Sequence, residues 1–270
     1  MTSTAGSVTP VSTLIDVLAR DLTLRWPDRV LIGLDHVMLG KRPRSDADRS
    51  LRVEVVRGPP TLVARVLGTE GPALTARVQL ADHYPESSAT GVLIPSCEGA
   101  SNAERLYALE AQLEQRAPAE RVGALRAVRR HGAAGLIAEL EIPRSVKEGS
   151  WQLRNLGAPA VLEGMLQLGR WGWFTLSGER ARLDGVERMR CFRLPRAGEL
   201  LRLESLLRGA GAELPRFDVL CCTEEGAPLV SMTGLRLVPE GPTRGAVERS
   251  VWQRFLEALG ARHPRSGANP

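Results

Sequence analysis

The feature that most constrains the fold is a repeated order of elements. An apolar helix followed by a run of strands is met twice, at an offset of about 150 residues. In the first copy Thr9 is placed as N-cap and Pro10 in the first turn, and Val11, Leu14, Ile15, Leu18 and Leu22 recur at helical spacing until Trp26-Pro27 ends the helix. Four segments of strand character follow: Val30 to Leu39, Leu51 to Arg57, Leu62 to Leu67 and Leu74 to Leu80. Leu51, Val53 and Val55 alternate with Arg52 and Glu54, and the turn signals Gly58-Pro59-Pro60 and Gly71-Pro72 separate the runs, which predicts an antiparallel meander.

Residues 81–101 are turn-rich and read as a linker, and Ala103 to Gln115 reads as a short helix with Leu106, Leu109 and Leu113 on one face. Strands are expected at Val122 to Arg129 and Gly135 to Ile142, then a second apolar helix from Pro159 to about Trp173. Further strands are expected at Glu187 to Leu194, Leu200 to Leu207, Phe217 to Cys222 and Leu229 to Val238. A duplicated unit in which a curled antiparallel sheet wraps one apolar helix is a hotdog, so the predicted class is α+β, a double hotdog. The expected domains are residues 1–100 for the first hotdog, 101–120 for a linker helix, 121–241 for the second hotdog and 242–270 for a C-terminal amphipathic helix, Ala246 to Leu259, with a frayed tail.

Composition excludes more than it selects. Hydrophobic residues at 43% and charged residues at 25% rule out a disordered or collagen-like chain, and no segment keeps the ~18 apolar residues of a membrane helix. The N-terminus lacks a basic region followed by an apolar one, so the expected location is the cytoplasm, with no membrane partner. The net charge of +5 rests almost wholly on arginine, Lys41 and Lys147 being the only lysines, and no nucleic-acid-binding motif accompanies it. Cys97, Cys191, Cys221 and Cys222 show no metal-ligand spacing and read as reduced core residues, so no metal is expected.

The second helix carries the most specific stretch, Ala158-Pro159-Ala160-Val161-Leu162-Glu163-Gly164-Met165-Leu166-Gln167. It resembles the proline-led segment of dehydratase domains in polyketide and polyunsaturated-fatty-acid synthases, where an aspartate is followed four residues later by glutamine or histidine. Phe217-Asp218-Val219, the turn at Glu225-Gly226 and Thr233-Gly234-Leu235-Arg236-Leu237 resemble the closing strands of the same domains. Val8-Thr9-Pro10-Val11 and Leu34-Asp35-His36-Val37-Met38-Leu39-Gly40 resemble their first helix and following strand. The resemblance spans residues 6–239.

It implies a domain that handles 3-hydroxyacyl chains on the phosphopantetheine arm of an acyl carrier protein, with no further cofactor, and with synthase modules as partners. In the family a histidine of the first hotdog takes the alpha proton and the acid of the second assists departure of the hydroxyl. Glu163 stands where that acid is expected and Gln167 where its partner is. The family's histidine motif falls on Thr2-Ser3-Thr4-Ala5-Gly6, which holds no histidine. The expected function is therefore a dehydratase-like domain that binds acyl chains with weak or no dehydration activity, a pseudoenzyme. The alternatives are an active dehydratase or isomerase using Glu163 with a base from elsewhere, and a non-enzymatic scaffold.

Residues four apart share a helical face, so Gln167 is expected to orient Glu163, against the plainer reading of a glutamate favoured by the helix dipole. Gly164 and Leu168 are the substrate-channel candidates, although close sheet packing explains such glycines equally well. Trp151, Trp171 and Trp173 are expected in the core. His36 with Gly40 forms a literal His-x-x-x-Gly, but Pro43 comes too early and the segment follows the helix, so this alternative base is disfavoured. Period-two spacing puts His36 on one face with Ile32, Leu34 and Met38, half-buried and structural. His83 and His131 are expected to face water. Because fewer than ten residues precede Pro10, the first hotdog is expected to lack cover, with self-association or docking through Val30 to Leu39 and the helix face at Leu14 and Leu18, unless the C-terminal helix folds back over the gap.

Overall fold

The computed structural model describes residues 9–41, 43, 51–58, 61–86, 101–114, 125–131, 135–144, 159–208, 215–240 and 246–259. Helix α1 (Val11–Arg25) leads into strands β1 (Val30–Leu39), β2 (Arg52–Gly58), β3 (Thr61–Gly68) and β4 (Gly71–Ala81). After a two-residue β5 (Ser101–Asn102) come α2 (Ala103–Glu114), β6 (Leu125–His131) and β7 (Gly135–Glu141). Then α3 (Pro159–Ser177) leads into β8 (Ala181–Cys191), β9 (Leu200–Arg208), β10 (Arg216–Thr223) and β11 (Pro228–Pro239), and α4 (Ala246–Ala258) closes the described chain.

All described strands belong to one antiparallel sheet in the order β2-β3-β4-β1-β8-β11-β10-β9-β7-β6-β5. Its centre is the β1–β8 pair, where Gly33 faces Arg190 and Met38 faces Gly185. Outward from this pair the order is the same on both sides: β1-β4-β3-β2 on one and β8-β11-β10-β9 on the other. Helix α1 packs on β1 to β4, α3 packs on β7 to β11, and the two helices touch each other. Asp35 fastens the seam, taking a hydrogen bond from Gln79 of β4 at 2.6 Å and an ion pair with Arg190 of β8 at 2.8 Å.

Helix α3 is apolar on most of its circumference, which makes it a core helix. Leu162, Met165, Leu168 and Trp171 are buried, as are Leu166 and Trp173. It runs one turn past the expected end at Trp173, because Phe174 and Thr175 still find the core and Thr175 Oγ1 donates to the Trp171 carbonyl at 2.7 Å. Strand β8 begins six residues before the expected Glu187. A Cβ on Gly185 would lie 2.4 Å from the Val37 carbonyl oxygen, so the glycine admits β1 at close range. At the start of α1 the capping position is Pro10, not Thr9, and no side chain caps the helix.

Two expectations fail on packing. Strand β1 is no edge, since β4 and β8 pair with it on either side, and Leu14 and Leu18 are fully buried. Nor does α4 fold over α1: it packs against α2 and α3. Cys191, Cys221 and Cys222 are free thiols in the core, where burial pushes Cys221 well up and Cys222 to about 11. Cys97 and Trp151 lie outside the described residues. No described helix is long and apolar enough to cross a membrane.

Candidate active site

Helix α3 has a sheet face and a helix face, and the site residues divide between them. A Cβ on Gly164 would lie 3.2 to 3.6 Å from Leu203, Leu125 and Leu140, and one on Gly172 would lie 2.9 Å from Phe217, so these glycines let the helix sink onto the sheet. Leu168 is fully buried. Side chains of the sheet thus stand within contact distance of Gly164, one of the two expected channel residues.

Glu163, Gln167, Arg170 and Phe174 recur at the spacing of the other face. Gln167 is buried and donates its Nε2 to both carboxylate oxygens of Glu110 in α2, each at 2.9 Å. Arg170 donates to Gln167 Oε1, and its Nη2 lies 4.0 Å from Glu163 Oε1. Contrary to the expectation that Gln167 orients Glu163, it does not hold it directly; Arg170 stands between them. The amide serves Glu110 because a half-buried carboxylate gains from donors and an amide nitrogen has two.

Glu163 is left with an unequal pair of oxygens. Oε1 faces Arg170, while Oε2 is buried without a hydrogen-bond partner among the described residues. An unmet buried acceptor costs roughly 1 to 3 kcal/mol.

Beside this row, a cleft of about 50 Å³ opens between Glu110, Arg170, Trp171, Arg180, Glu240 and Phe255. The Nε atoms of Arg170 and Arg180 and Nε1 of Trp171 have no hydrogen-bond partner there among the described residues. Its apolar wall is an edge-to-face stack that joins three helices: Tyr107 to Trp171 at 4.8 Å, Trp171 to Phe255 at 5.8 Å and Phe174 to Phe255 at 5.0 Å between ring centres. Sequence reasoning missed Arg170, Glu110 and Arg180. Arg170 had a signal, lying three residues after Gln167 and seven after Glu163, but no local pattern tied Glu110 to a residue 57 positions away.

The histidines lie apart from this row. His36 is exposed, not half-buried, and takes φ +50° at an irregularity where the β1–β4 register shifts between Asp35 and Met38. The bulge breaks period-two alternation, so Val37 turns inward and His36 and Met38 turn outward. His83 is exposed as expected; His131 ends β6, and His263 lies outside the described residues. Among the described residues no group of three or more His, Cys, Asp or Glu side chains is placed to hold a metal ion.

The fold is similar to solved dehydratase domains of polyketide synthases. The dehydratase domain from the CurJ module of curacin polyketide synthase matches with a TM-score of 0.67 at 12% identity, over 87% of this chain and 85% of that one. An N-terminal dehydratase from the difficidin assembly line matches with a TM-score of 0.62 at 15% identity, over 92% and 89% of the two chains. The dehydratase domain of MlnD from Bacillus amyloliquefaciens matches at 0.64 and 13%, over 87% and 86%. No protein-family model and no curated protein matches the sequence. The likeness establishes the double-hotdog fold that the duplicated helix-and-meander order predicts.

Proposed function

We propose that this chain is a dehydratase-like double-hotdog domain of a polyketide or polyunsaturated-fatty-acid synthase system, which binds acyl chains tethered to a carrier protein and has weak or no dehydratase activity. The observation that carries the reading is the state of Glu163. It stands at the acidic position of the proline-led helix, with one carboxylate oxygen beside Arg170 and the other buried and unpartnered. Such an acceptor suits a 3-hydroxyacyl group and is costly without one.

The limit on activity comes from the base. Thr2-Ser3-Thr4-Ala5-Gly6, where the resemblance places the family's histidine motif, holds no histidine, and His36 faces solvent from a bulge in β1. Without a general base the proton alpha to the thioester is removed slowly, and loss of this contribution costs ~10² to 10⁴ in rate even when binding survives. Glu163 then remains as a hydrogen-bonding group for the 3-hydroxyl.

The test is dehydration of 3-hydroxyacyl substrates on a carrier protein or a pantetheine mimic by the purified chain. No detectable product is expected. Turnover matching an intact dehydratase and abolished by Glu163→Ala would overturn the inactive reading in favour of an active dehydratase or isomerase, and sensitivity to His36→Ala would name the base.

A further inference from the structure

Arg180 is placed by the junction of a helix and a strand. Helix α3 is closed at Gly178, which takes φ +69° and donates its amide to the Phe174 carbonyl at 2.9 Å. Two residues on, the Arg180 carbonyl accepts the Glu240 amide at 3.1 Å, just before Ala181 of β8 pairs with Pro239 of β11. The backbone is thus fixed on both sides, and the side chain stands at the cleft where α2, α3 and α4 meet.

The guanidinium is half-buried and its charge is unanswered. It forms no ion pair among the described residues, and its Nε is buried without a hydrogen-bond partner. Two carboxylates line the same cleft, yet neither pairs with it: Glu110 receives Gln167, and Glu240, exposed at the rim, meets Arg180 only through the backbone. Arg170 is committed to Gln167 and Glu163. A second unmet donor adjoins Arg180, since Trp171 is 1% exposed and its Nε1 has no acceptor. Burying a cation or a donor without a partner costs free energy that a matching ligand recovers.

We propose that this cleft binds a short-chain organic carboxylate, with its oxygens on Arg180 and Trp171 and its alkyl tail against Phe174 and Phe255. A guanidinium presents paired donors that match the two oxygens of a carboxylate. Phe174 and Phe255, edge to face at 5.0 Å, give the tail an apolar wall. The volume of about 50 Å³ corresponds to roughly three to five water molecules, which limits the ligand to about two to four carbons. A bare inorganic anion leaves the wall unused, and an uncharged isostere leaves the guanidinium unanswered. Arg180 is no part of the Glu163 row, so this site and the dehydratase-like reading fail separately.

Butyrate is the probe, titrated into the full nitrogen-15-labelled chain at constant ionic strength. The reporter is the indole N–H signal of Trp171, identified by its loss in Trp171→Phe. A saturable downfield movement is expected with butyrate. Butyramide, which keeps the shape without the charge, and inorganic phosphate, which keeps charge without the tail, should each bind about tenfold more weakly or worse. Arg180→Gln should weaken butyrate by about tenfold or more, and Glu240→Gln should tighten it by about twofold, because a competing carboxylate leaves the rim. Thermal melts check that each variant folds, and if Arg180→Gln does not, the comparison of butyrate with butyramide on the unaltered chain decides. A Trp171 signal that does not saturate, equal responses to the three probes, or unchanged butyrate binding in folded Arg180→Gln would overturn the proposal.

Discussion

Gln167 in α3 donates its side-chain amide to Glu110 in α2 at 2.9 Å, and this half-buried contact ties the helix that carries Glu163 to its neighbour. Replacing Gln167 with Leu keeps the volume but strips Glu110 of a donor. Hydrogen bonds to charged groups contribute ~1.5 to 3 kcal/mol, so Gln167→Leu should destabilise by about that much. Glu110→Gln should cost less, and a double-mutant cycle in urea should show coupling between the two sites. Additive effects would mean that the contact contributes nothing specific.

Large-to-small substitution tests the burial of α3. Leu166→Ala should cost ~2 to 5 kcal/mol, as cavity-forming changes do, while Glu163→Gln should cost much less because an amide keeps the shape and hydrogen-bonding capacity. Chemical melts measure both. A nearly neutral Leu166→Ala would contradict the placement of this face.

Gly185 tests the seam between the halves. An added Cβ would lie 2.4 Å from the Val37 carbonyl oxygen, which is backbone and cannot swing aside. Gly185→Ala should therefore destabilise by ~1 to 3 kcal/mol, with slower exchange protection lost first in β1 and β8. An unchanged melt would show that the β1–β8 pair is looser than this geometry.

Asp16 gives a pH dependence. Burial pushes its carboxyl from 3.8 up to about 6, against the opposing pull of Arg20. A raised acid pKa means that the folded chain holds a proton the unfolded chain has released, so stability falls as pH rises from 3.8 to about 6. Asp16→Asn should remove that fall. The variant should gain about 1 kcal/mol over the parent at neutral pH, after allowance for solvent screening of a half-exposed group, and show no such gain in acid. A difference between variant and parent that stays constant across this range would contradict the assignment.

How much was legible in the sequence depends on the range of the interaction. The end of α1 and the limits of β1 followed from Trp26-Pro27 and the apolar spacing, because stop signals and periodicity are local, whereas the cap of α1 did not, Pro10 standing where Thr9 was expected. The burial of Leu162 and Leu166 followed from the apolar spacing of α3. The partner of Gln167 was not legible, because nothing near Glu110 marks it as the residue α2 brings across. The early start of β8 was not legible, because it depends on Gly185 admitting the distant strand β1 at close range. His36 was placed on the wrong face because β1 breaks register with β4 twice, between Leu31 and Gly33 and between Asp35 and Met38, so alternation does not carry along the strand.

The central claim joins retained binding to lost turnover, and one sample can report both. A 3-hydroxyacyl pantetheine is titrated into the chain while ligand binding and the enoyl product are followed together, with Glu163→Ala as the control. The account predicts saturable binding, weakened by Glu163→Ala, and no enoyl product. Rapid formation of product that disappears in Glu163→Ala, or no binding at all, would contradict it.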